Sequence, residues 1–309
     1  MLKSSKNMES KVINQKFEKF LSLKDIPTDL RISTITMTCT FDTEFNVENI
    51  ARYIDLNIDD IRSVKYGNST DPLYNRSLIV KKTRKKKTKK KYQRAKKKDY
   101  FFNNVAMYVK PKNTKQVNIK IFRNGSIQMT GCNSYENCIE AIQLLCSKMK
   151  EIKGVLNMKT LDKIEPVPYV TCPENLEISK VDNIKIRMIN SNYNVNFNIN
   201  RERFYINLLK QNINCSFEPV VHACVNIKYY YKKVDEISIF VFESGCIIIT
   251  GAKCKDHIKK AYEFITKKLY ENYHDIIIHN IDKILKRKDI KQLIKEKSNN
   301  FQKIKYECN

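Results

Sequence analysis

The chain has 309 residues, 42% of them hydrophobic, and a formal net charge of +25 from 58 Lys or Arg against 33 Asp or Glu. The apolar content is sufficient for a core, and the charge indicates a polyanionic partner, either nucleic acid or an anionic membrane face. No run of eighteen apolar residues is present and the N-terminus lacks an apolar signal core, which excludes a membrane-spanning helix and predicts a soluble, intracellular protein.

The first predicted elements follow a short lead-in, residues 1–28. Polar and apolar residues alternate from Thr34 to Phe41, which predicts a half-buried strand with a threonine face. Residues 45–54 have helical spacing, and Asn46 is a suitable N-cap. This strand and helix open a first predicted repeat, residues 29–153.

A basic insertion interrupts this repeat over about residues 60–99. Residues 81–98 contain 13 Lys or Arg, among them Lys85, Lys86 and Lys87, and no acidic residue. Such a block cannot offset its ordering entropy by burial, so we expect a loop. Two interpretations stay open: a solvated insertion or nuclear-import signal, and an arm that lies along phosphates.

Strands resume at residues 101–110, and a helix is predicted over 134–152. Residues 154–182 are predicted to be a linker because they contain Gly154 and three prolines. The order of elements then recurs in a second predicted repeat, residues 183–275, with a strand at 222–231. A basic, helix-leaning tail, residues 276–309, ends the chain.

Two glycine-centred segments connect the repeats. IKIFRNGSIQMTG (residues 119–131) and SIFVFESGCIIITG (residues 238–251) align at an offset of 120 residues and contain four of the six glycines. Glycine is the usual choice where φ is positive or a backbone passes closely. Each segment is therefore predicted to be a strand, a tight turn and a second strand, in an antiparallel α+β protein built by duplication.

These segments, with Phe217-Glu218-Pro219 and IFVFESGCIIITGAK (residues 239–253), resemble the TATA-box-binding protein family over about residues 32–55, 101–153 and 184–275. The resemblance implies an α+β saddle of two pseudo-symmetric repeats, a curved antiparallel sheet with helices on its convex face. It also implies a transcription initiation factor that binds and bends A/T-rich promoter DNA through the minor groove. Basal transcription factors, including a transcription factor IIB-like protein, and the RNA polymerase machinery are the implied protein partners.

The resemblance assigns an intercalating wedge role to four positions, Phe102, Phe122, His222 and Phe242. Strand alternation independently places Phe122 and Phe242 on the face opposite the core. Phe101 is an alternative to Phe102 if the strand is shifted by one residue. His222 stands where the family has phenylalanine, and an ordinary surface histidine is the other interpretation.

The remaining implied site residues divide into three groups. The groove floor is assigned to residues on the polar sheet face, although a merely solvated face is the alternative: Thr34, Thr36, Lys120, Thr130, Met188, Asn190, Phe240 and Thr250. Phosphate contacts are assigned to Lys228 and Lys253, with Lys85, Lys86 and Lys87 in the basic tract. A partner-binding stirrup is assigned to Phe217, Glu218, Pro219 and Val221, with a plain proline turn as the alternative.

Other functional classes have little support. The ten cysteines form no C-x-x-C pair, so reduced thiols, no metal and no cofactor are expected. No P-loop, G-x-S-x-G, H-E-x-x-H or dinucleotide fingerprint occurs, and we expect no enzymatic activity. A scaffold that binds protein partners and has lost DNA bending stays an alternative. The nucleus, or the cytoplasmic factory of a large DNA virus, is the expected compartment.

Overall fold

The computed structural model describes residues 26–67, 69–79, 103–157 and 163–279, together with Gln292, Lys295 and Lys297. The chain divides into two compact units. The first comprises the chain up to Asn192 and a later segment, Ile249–Lys260; the second comprises Tyr193–Ile248 and the chain from Ala261 onward. No helix within the described ranges has the length and apolar character needed to cross a membrane.

The first unit combines an antiparallel sheet with helices. Its elements are β1 (Arg31–Thr40), α1 (Val47–Tyr53), β2 (Ile61–Tyr66), β3 (Asn75–Ser77), β4 (Asn104–Val109), β5 (Val117–Phe122), β6 (Ser126–Cys132), α2 (Tyr135–Met149), β7 (Lys153–Leu156), β8 (Ile164–Val167) and, up to Asn192, β9 (Asp182–Asn194). Seven strands are hydrogen-bonded in the order β9-β1-β6-β5-β4-β2-β3, and β7 and β8 form a separate hairpin.

Residue alternation gives this sheet one apolar and one polar face. In β5, Val117, Ile119 and Ile121 are fully buried, and the intervening residues point to the opposite side. Helices α1 and α2 contact strands of this sheet, and α2 buries Ile142 and Leu145 at helical spacing. We call the side chains directed away from this core the polar face.

The second unit contains the remaining elements. They are β10 (Asn198–Ile199), α3 (Arg201–Lys210), β11 (Cys215–Ser216), β12 (Cys224–Tyr231), β13 (Asp235–Phe242), β14 (Cys246–Ala252) up to Ile248, α4 (Lys255–Glu271) from Ala261, α5 (Tyr273–Ile276) and β15 (Ile277–Ile278). Strands β11, β12 and β13 are antiparallel neighbours, and β10 pairs with β15. In β13, Ile237, Ile239 and Val241 are fully buried, so this unit also has a polar face.

The two glycine turns have the same backbone geometry. Gly125 and Gly245 have φ values of +82° and +78°, and the N–H of each donates to the carbonyl of the phenylalanine three residues earlier. A Cβ at Gly125 would lie 2.2 Å from the Phe41 carbonyl oxygen, and one at Gly245 would lie 2.3 Å from the Phe197 oxygen. Only glycine permits this close approach. In each unit, the segment before the first helix donates two hydrogen bonds to backbone carbonyls of this turn. In the first unit, the Phe41 N–H donates to Gly125 at 3.0 Å and the Phe45 N–H to Arg123 at 2.9 Å. In the second unit, the Val195 N–H donates to Gly245 at 3.0 Å and the Ile199 N–H to Glu243 at 2.8 Å.

Three sequence-predicted segments differ from the structure. The span predicted as an insertion, about 60–99, includes strands β2 and β3, whose mixed polar sequences lack clear alternation. The predicted linker, 154–182, contains most of the β7–β8 hairpin, and Val170 forms an isolated bridge with Phe45. The predicted tail from residue 276 begins with the buried Ile276 and continues into β15, which pairs with β10 ahead of α3. Segments that the sequence indicates as connections therefore pair with the backbone that precedes α1 and α3.

Candidate nucleic-acid interface

Phe122 and Phe242 hold equivalent places at the ends of β5 and β13. Both are half-buried on the polar faces and immediately precede a glycine turn. Phe122 pairs with Asn104 and Phe242 with Cys224, so their neighbours in the sheets also differ by 120 residues. Phe122 lines two shallow depressions of about 450 and 510 Å³ on the polar face. Core packing does not account for two aromatic rings on faces of this kind.

The other two wedge candidates do not join this arrangement. Phe102 lies outside the described residues, and so do Lys85, Lys86 and Lys87. The strand predicted to start at His222 starts at Cys224 instead. His222 is exposed in a turn, where its N–H donates to the Glu218 carbonyl at 2.8 Å. The predicted start of this strand was therefore wrong, because the preceding turn extends two residues further than the sequence indicated, and the wedge role of His222 stays a prediction.

Four floor candidates form one hydrogen-bonded cluster in the first unit. The Asn190 Nδ2 donates to Thr34 Oγ1 at 3.0 Å, and Thr250 Oγ1 donates to Asn190 Oδ1 at 2.6 Å. Thr250 Oγ1 also lies 3.5 Å from the Met188 sulfur. The Asn190 amide is thus fixed in orientation and retains one donor hydrogen for a ligand. An amide fixed in this way can distinguish a ligand that presents a hydrogen-bond acceptor from one that presents a donor.

The remaining floor candidates differ in accessibility. Lys120 and Thr130 are exposed, and Phe240 is half-buried on the second unit's polar face. Thr36 is only 7% exposed, because it pairs with Thr130 on one side and Met188 on the other. The prediction that Thr36 offers a contact surface is therefore corrected. Its bulged neighbourhood, with register shifts on both sides, is not visible in the sequence.

The two described phosphate candidates also differ. Lys253 is exposed, and its backbone N–H donates to the Nδ1 of His257 at 3.3 Å. Lys228 makes an ion pair with Glu236 and donates to Ser238 Oγ at 2.9 Å. The hydrogen bond from Lys228 holds the pKa of the Glu236 carboxyl below its ordinary value, so this pair persists at neutral pH. Glu236 therefore offsets the charge of Lys228.

Sequence reasoning missed a transverse row of residues across the first unit's polar face. Consecutive pairings join six residues: Lys65 (β2), Ala106 (β4), Lys120 (β5), Gln128 (β6), Thr38 (β1) and Lys185 (β9). Arg187 extends the row, with its Nε donating to Thr38 Oγ1 at 3.0 Å. The three lysines and Arg187 are exposed. Alternation could have assigned Lys65 and Lys185 to a face, but only strand register brings them into one row.

The stirrup candidates form an exposed turn in the second unit. Phe217 is held between Tyr205, with ring centroids 6.1 Å apart, and the Arg201 guanidinium, 5.6 Å from its ring. The exposed Glu218 carbonyl accepts the Val221 N–H at 2.9 Å, and the exposed Pro219 follows. Val221 is 64% exposed and the adjacent Val220 98% exposed. The turn thus presents two apolar side chains to solvent.

The cysteines of the described ranges are mostly buried. The nine cysteines of the described ranges are free, and those ranges contain no group of three or more His, Cys, Asp or Glu placed to hold a metal ion. Burial raises the pKa of Cys39 and of Cys146 to about 12 each. A hydrogen bond with Cys132, together with burial, also raises the pKa of Cys138. Protonated, buried thiols of this kind are inert packing residues.

Fold and site together define a class: an α+β protein whose polar sheet faces, with aromatic and basic side chains, are suited to a polyanion. A family model described as "Transcription factor TFIID (or TATA-binding protein, TBP)" matches residues 183–272. A "TATA-box-binding protein-like" protein of Acanthamoeba polyphaga mimivirus is 34% identical over 293 residues, covering 88% of this chain and 74% of that protein. The solved structure of Methanococcus jannaschii TBP is similar with a TM-score of 0.45 and 15% identity, covering 79% of this chain and 99% of that one.

The chain belongs to the TATA-box-binding protein-like family. It is accordingly a TBP-like transcription factor, in a family of non-enzymatic transcription factors. The family resemblance and the α+β class predicted from sequence are both confirmed.

Proposed function

We propose that this protein is a transcription initiation factor that binds A/T-rich promoter DNA through the minor groove and bends it. The observation that carries the proposal is the placement of Phe122 and Phe242. Each is half-buried on a polar face, directly before a glycine turn of the same geometry. In this interpretation the two segments are duplicated repeats, and each presents one ring to a base step.

The chemistry of such a wedge suits these rings. Apolar side chains that enter the minor groove unstack base steps and kink the duplex, a mode for which the TATA-box-binding protein itself is the standard example. The ring must be exposed enough to insert and rigid enough to keep its direction. A half-buried phenylalanine at the end of a strand meets both requirements, because the glycine turn that follows fixes the backbone.

The floor residues favour A·T over G·C pairs. In the minor groove A·T pairs present only acceptors, whereas a G·C pair adds an amino donor. Asn190 has one amide hydrogen left for such an acceptor, and the exposed Thr130 hydroxyl can donate as well. Lys120 places a cation on the same face, and the electronegative groove of A/T-rich DNA attracts cations.

Duplex affinity tests the proposal. Fluorescence anisotropy with A/T-rich and G/C-rich duplexes of equal length should show tighter binding to the A/T-rich one. Phe122→Ala and Phe242→Ala should each weaken binding about 10-fold, since an aromatic contact with a base contributes about 1–3 kcal/mol. Tyr270→Ala is the matched control, because Tyr270 is a 60% exposed aromatic residue on helix α4. Equal affinity for both duplexes, or phenylalanine variants indistinguishable from Tyr270→Ala, would contradict it.

We propose further that the stirrup turn recruits basal transcription factors, among them a transcription factor IIB-like protein. Contiguous exposed apolar surface marks a protein contact, and Val220 and Val221 are adjacent apolar side chains that are both exposed. Val221→Glu should abolish binding of a transcription factor IIB-like protein to the DNA complex without changing DNA affinity. Retained binding would refute this partner role. Binding of that protein by a chain that binds no duplex would favour the scaffold function instead.

A further inference from the structure

The β7–β8 hairpin of the first unit is a two-stranded sheet of its own. Its residues pair in register from Lys153 with Val167 to Leu156 with Ile164, and neither strand pairs with another strand within the described ranges. A hairpin of two strands is marginally stable in water, and a third strand or packing against another element stabilises it. The exposed surface of this hairpin therefore indicates what would complete it.

One face of the β7–β8 hairpin is apolar and open to solvent. Alternate residues of a strand share a face, and this face consists of four residues: Gly154, Leu156, Ile164 and Pro166. All four are exposed, and Ile164 is 74% exposed. A Cβ at Gly154 would lie 2.8 Å from the γ2 methyl of Ile164, which agrees with a shared face. The half-buried Val155 and Val167 lie on the opposite face, so the hairpin leaves its more apolar face open.

The two outer edges of the hairpin differ in their capacity to pair with a further strand. The Asn157 N–H donates to the Lys163 carbonyl at 2.8 Å, so these two residues form a hydrogen-bonded pair. Such pairs alternate in an antiparallel ladder with pairs whose N–H and C=O groups point outward, and Gly154 and Leu156 belong to the outward set. Pro166 belongs to the outward set of β8 and has no N–H, which interrupts that edge. In β7 the outward groups of Gly154 and Leu156 make no backbone hydrogen bond to any residue that the structure describes, so this edge is open to an added strand.

A depression of about 450 Å³ continues the apolar surface at the base of the hairpin. Ile152, immediately before β7, and Pro168, immediately after β8, both line it, together with Met149 and Pro173. Ligand pockets in proteins begin at about 300 Å³, so this depression has room for a large apolar side chain. A strand that lies along β7 would pass Ile152 and bring one of its side chains to the depression.

The charges around this surface are balanced by ion pairs. Three pairs surround it: Lys153 with Asp55 at 2.6 Å, Lys148 with Glu151 at 3.2 Å and Lys150 with Glu177 at 4.0 Å. In a chain with a net charge of +25, such a surface does not attract a polyanion. It suits a protein segment with apolar side chains and little net charge.

We propose that the outer edge of β7 binds an extended segment of a partner protein as a third strand, with apolar side chains on the face of Leu156 and Ile164. In strand addition, main-chain hydrogen bonds give affinity and pockets for alternate side chains give specificity. Here Gly154 and Leu156 supply the main-chain groups, and the depression beside Ile152 supplies the pocket. This surface lies apart from the polar faces and the stirrup turn, so the inference goes beyond the proposed function and does not depend on it.

A second copy of this chain does not suit the same edge. Each strand of the hairpin has four residues and so offers about 13 Å of edge. A stable dimer buries about 800 Å² on each partner, far more than such an edge provides. A single extended segment needs only the edge and the adjoining apolar face.

Peptide binding by the full chain tests the proposal. The probe is a short fluorescent peptide of alternating valine and threonine, closed by one lysine and one glutamate so that it has no net charge. Fluorescence anisotropy should show saturable binding that does not change with salt concentration. Ile164→Lys should weaken binding about 10-fold, because it places a charge on the apolar face. Val234→Lys is the matched control, since Val234 is an 80% exposed aliphatic residue between β12 and β13, and it should leave the affinity unchanged.

N-Methylation of the peptide distinguishes strand addition from general hydrophobic contact. Two peptides carry N-methyl groups on either of the two alternate sets of residues, and only the set whose N–H groups face β7 should lose binding. Equal binding of the two methylated peptides, no saturable binding of the parent peptide, or equal affinities of the Ile164→Lys and Val234→Lys variants would overturn the proposal.

Sedimentation and DNA binding complete the test. A wild-type dimer that Ile164→Lys converts to a monomer would overturn the proposal in favour of a second copy on this edge. Circular dichroism confirms that the exposed substitutions preserve the fold. Ile164→Lys should bind duplex DNA as the wild type does, so a failure of this inference leaves the proposed function intact.

Discussion

Replacement of Gly125 by alanine should destabilise the fold severely, because two independent penalties coincide there. The φ of Gly125 is +82°, and the left-handed conformation disfavours an L-residue by about 1–2 kcal/mol. The new Cβ would also lie 2.2 Å from the Phe41 carbonyl oxygen and 2.7 Å from that of Thr43. Relieving this contact moves the turn away from the Phe41–Phe45 segment. This movement breaks the hydrogen bonds from Phe41 to Gly125 and from Phe45 to Arg123, each of which contributes about 1 kcal/mol. The total loss is about 3–4 kcal/mol.

Substitutions at two other glycines separate the conformational penalty from the penalty of the close backbone contact. Gly131 has a φ of +98°, but a Cβ there would meet nothing closer than the Gln116 carbonyl oxygen at 3.9 Å. Gly131→Ala should therefore lose only the conformational part, about 1–2 kcal/mol. A Cβ at Gly154 would lie 2.8 Å from the γ2 methyl of Ile164, a 74% exposed side chain that can rotate away, so Gly154→Ala should stay within about 1 kcal/mol of the wild type.

Urea unfolding measures this series. The chain has 17 tyrosines and no tryptophan, so tyrosine fluorescence and far-ultraviolet circular dichroism report the transition. The expected order of destabilisation is Gly125→Ala, then Gly131→Ala, then Gly154→Ala. A Gly125→Ala variant within 0.5 kcal/mol of Gly131→Ala would refute the argument that close backbone approach selects glycine at the turn.

Three further predictions concern charge, pH and a buried amide. Glu236→Gln should release Lys228 and raise the salt slope of DNA binding by up to about 0.9. Burial raises the pKa of Cys39 and Cys146 to about 12, whereas thiols of the unfolded chain ionise near 9.0. The thiols should therefore leave the free energy of unfolding unchanged below pH 9 and should lower it as the pH rises toward 12. Asn137→Ala should destabilise by about 2–3 kcal/mol in urea titrations, since this buried side chain donates to the Thr114 hydroxyl and the Lys115 carbonyl in the loop between β4 and β5.

Each of these predictions has a contradicting result. A salt slope unchanged by Glu236→Gln would show that Lys228 contacts no phosphate even when unpaired. A Cys39→Ala, Cys146→Ala double variant with the same loss of stability between pH 9 and 12 as the wild type would exclude these two thiols as its cause. Wild-type stability in Asn137→Ala would mean that the loop between β4 and β5 does not depend on this amide.

Strand alternation and the two glycine-centred segments predicted much of the fold and the positions of Phe122 and Phe242 on the sheets. The alternating apolar residues of β5 and β13 placed Phe122 and Phe242 on the polar faces, because burial of one face fixes the direction of every second side chain. Asn46 caps its helix as predicted, accepting from the Asn49 N–H at 3.1 Å. These are local rules, and a single sequence contains all the information that they need.

Features that depend on pairing between distant strands could not be predicted. The row that joins Lys65, Lys120 and Lys185 exists only through register among six strands, and no local pattern encodes it. Likewise, the ion pair of Lys228 depends on Glu236 lying near it across a hairpin. The sequence showed the charges, but the opposing strands decide which of them are neutralised.

The proposed DNA bending by the two half-buried phenylalanines is tested most directly by energy transfer between dyes at the two ends of a short A/T-rich duplex. The wild-type protein should bring the ends closer on binding. A Phe122→Ala, Phe242→Ala double variant, studied at saturating concentration, should leave the end-to-end distance close to that of the free duplex. Binding of the wild type without any change in that distance, or an equal change with the double variant, would contradict the wedge role of these rings.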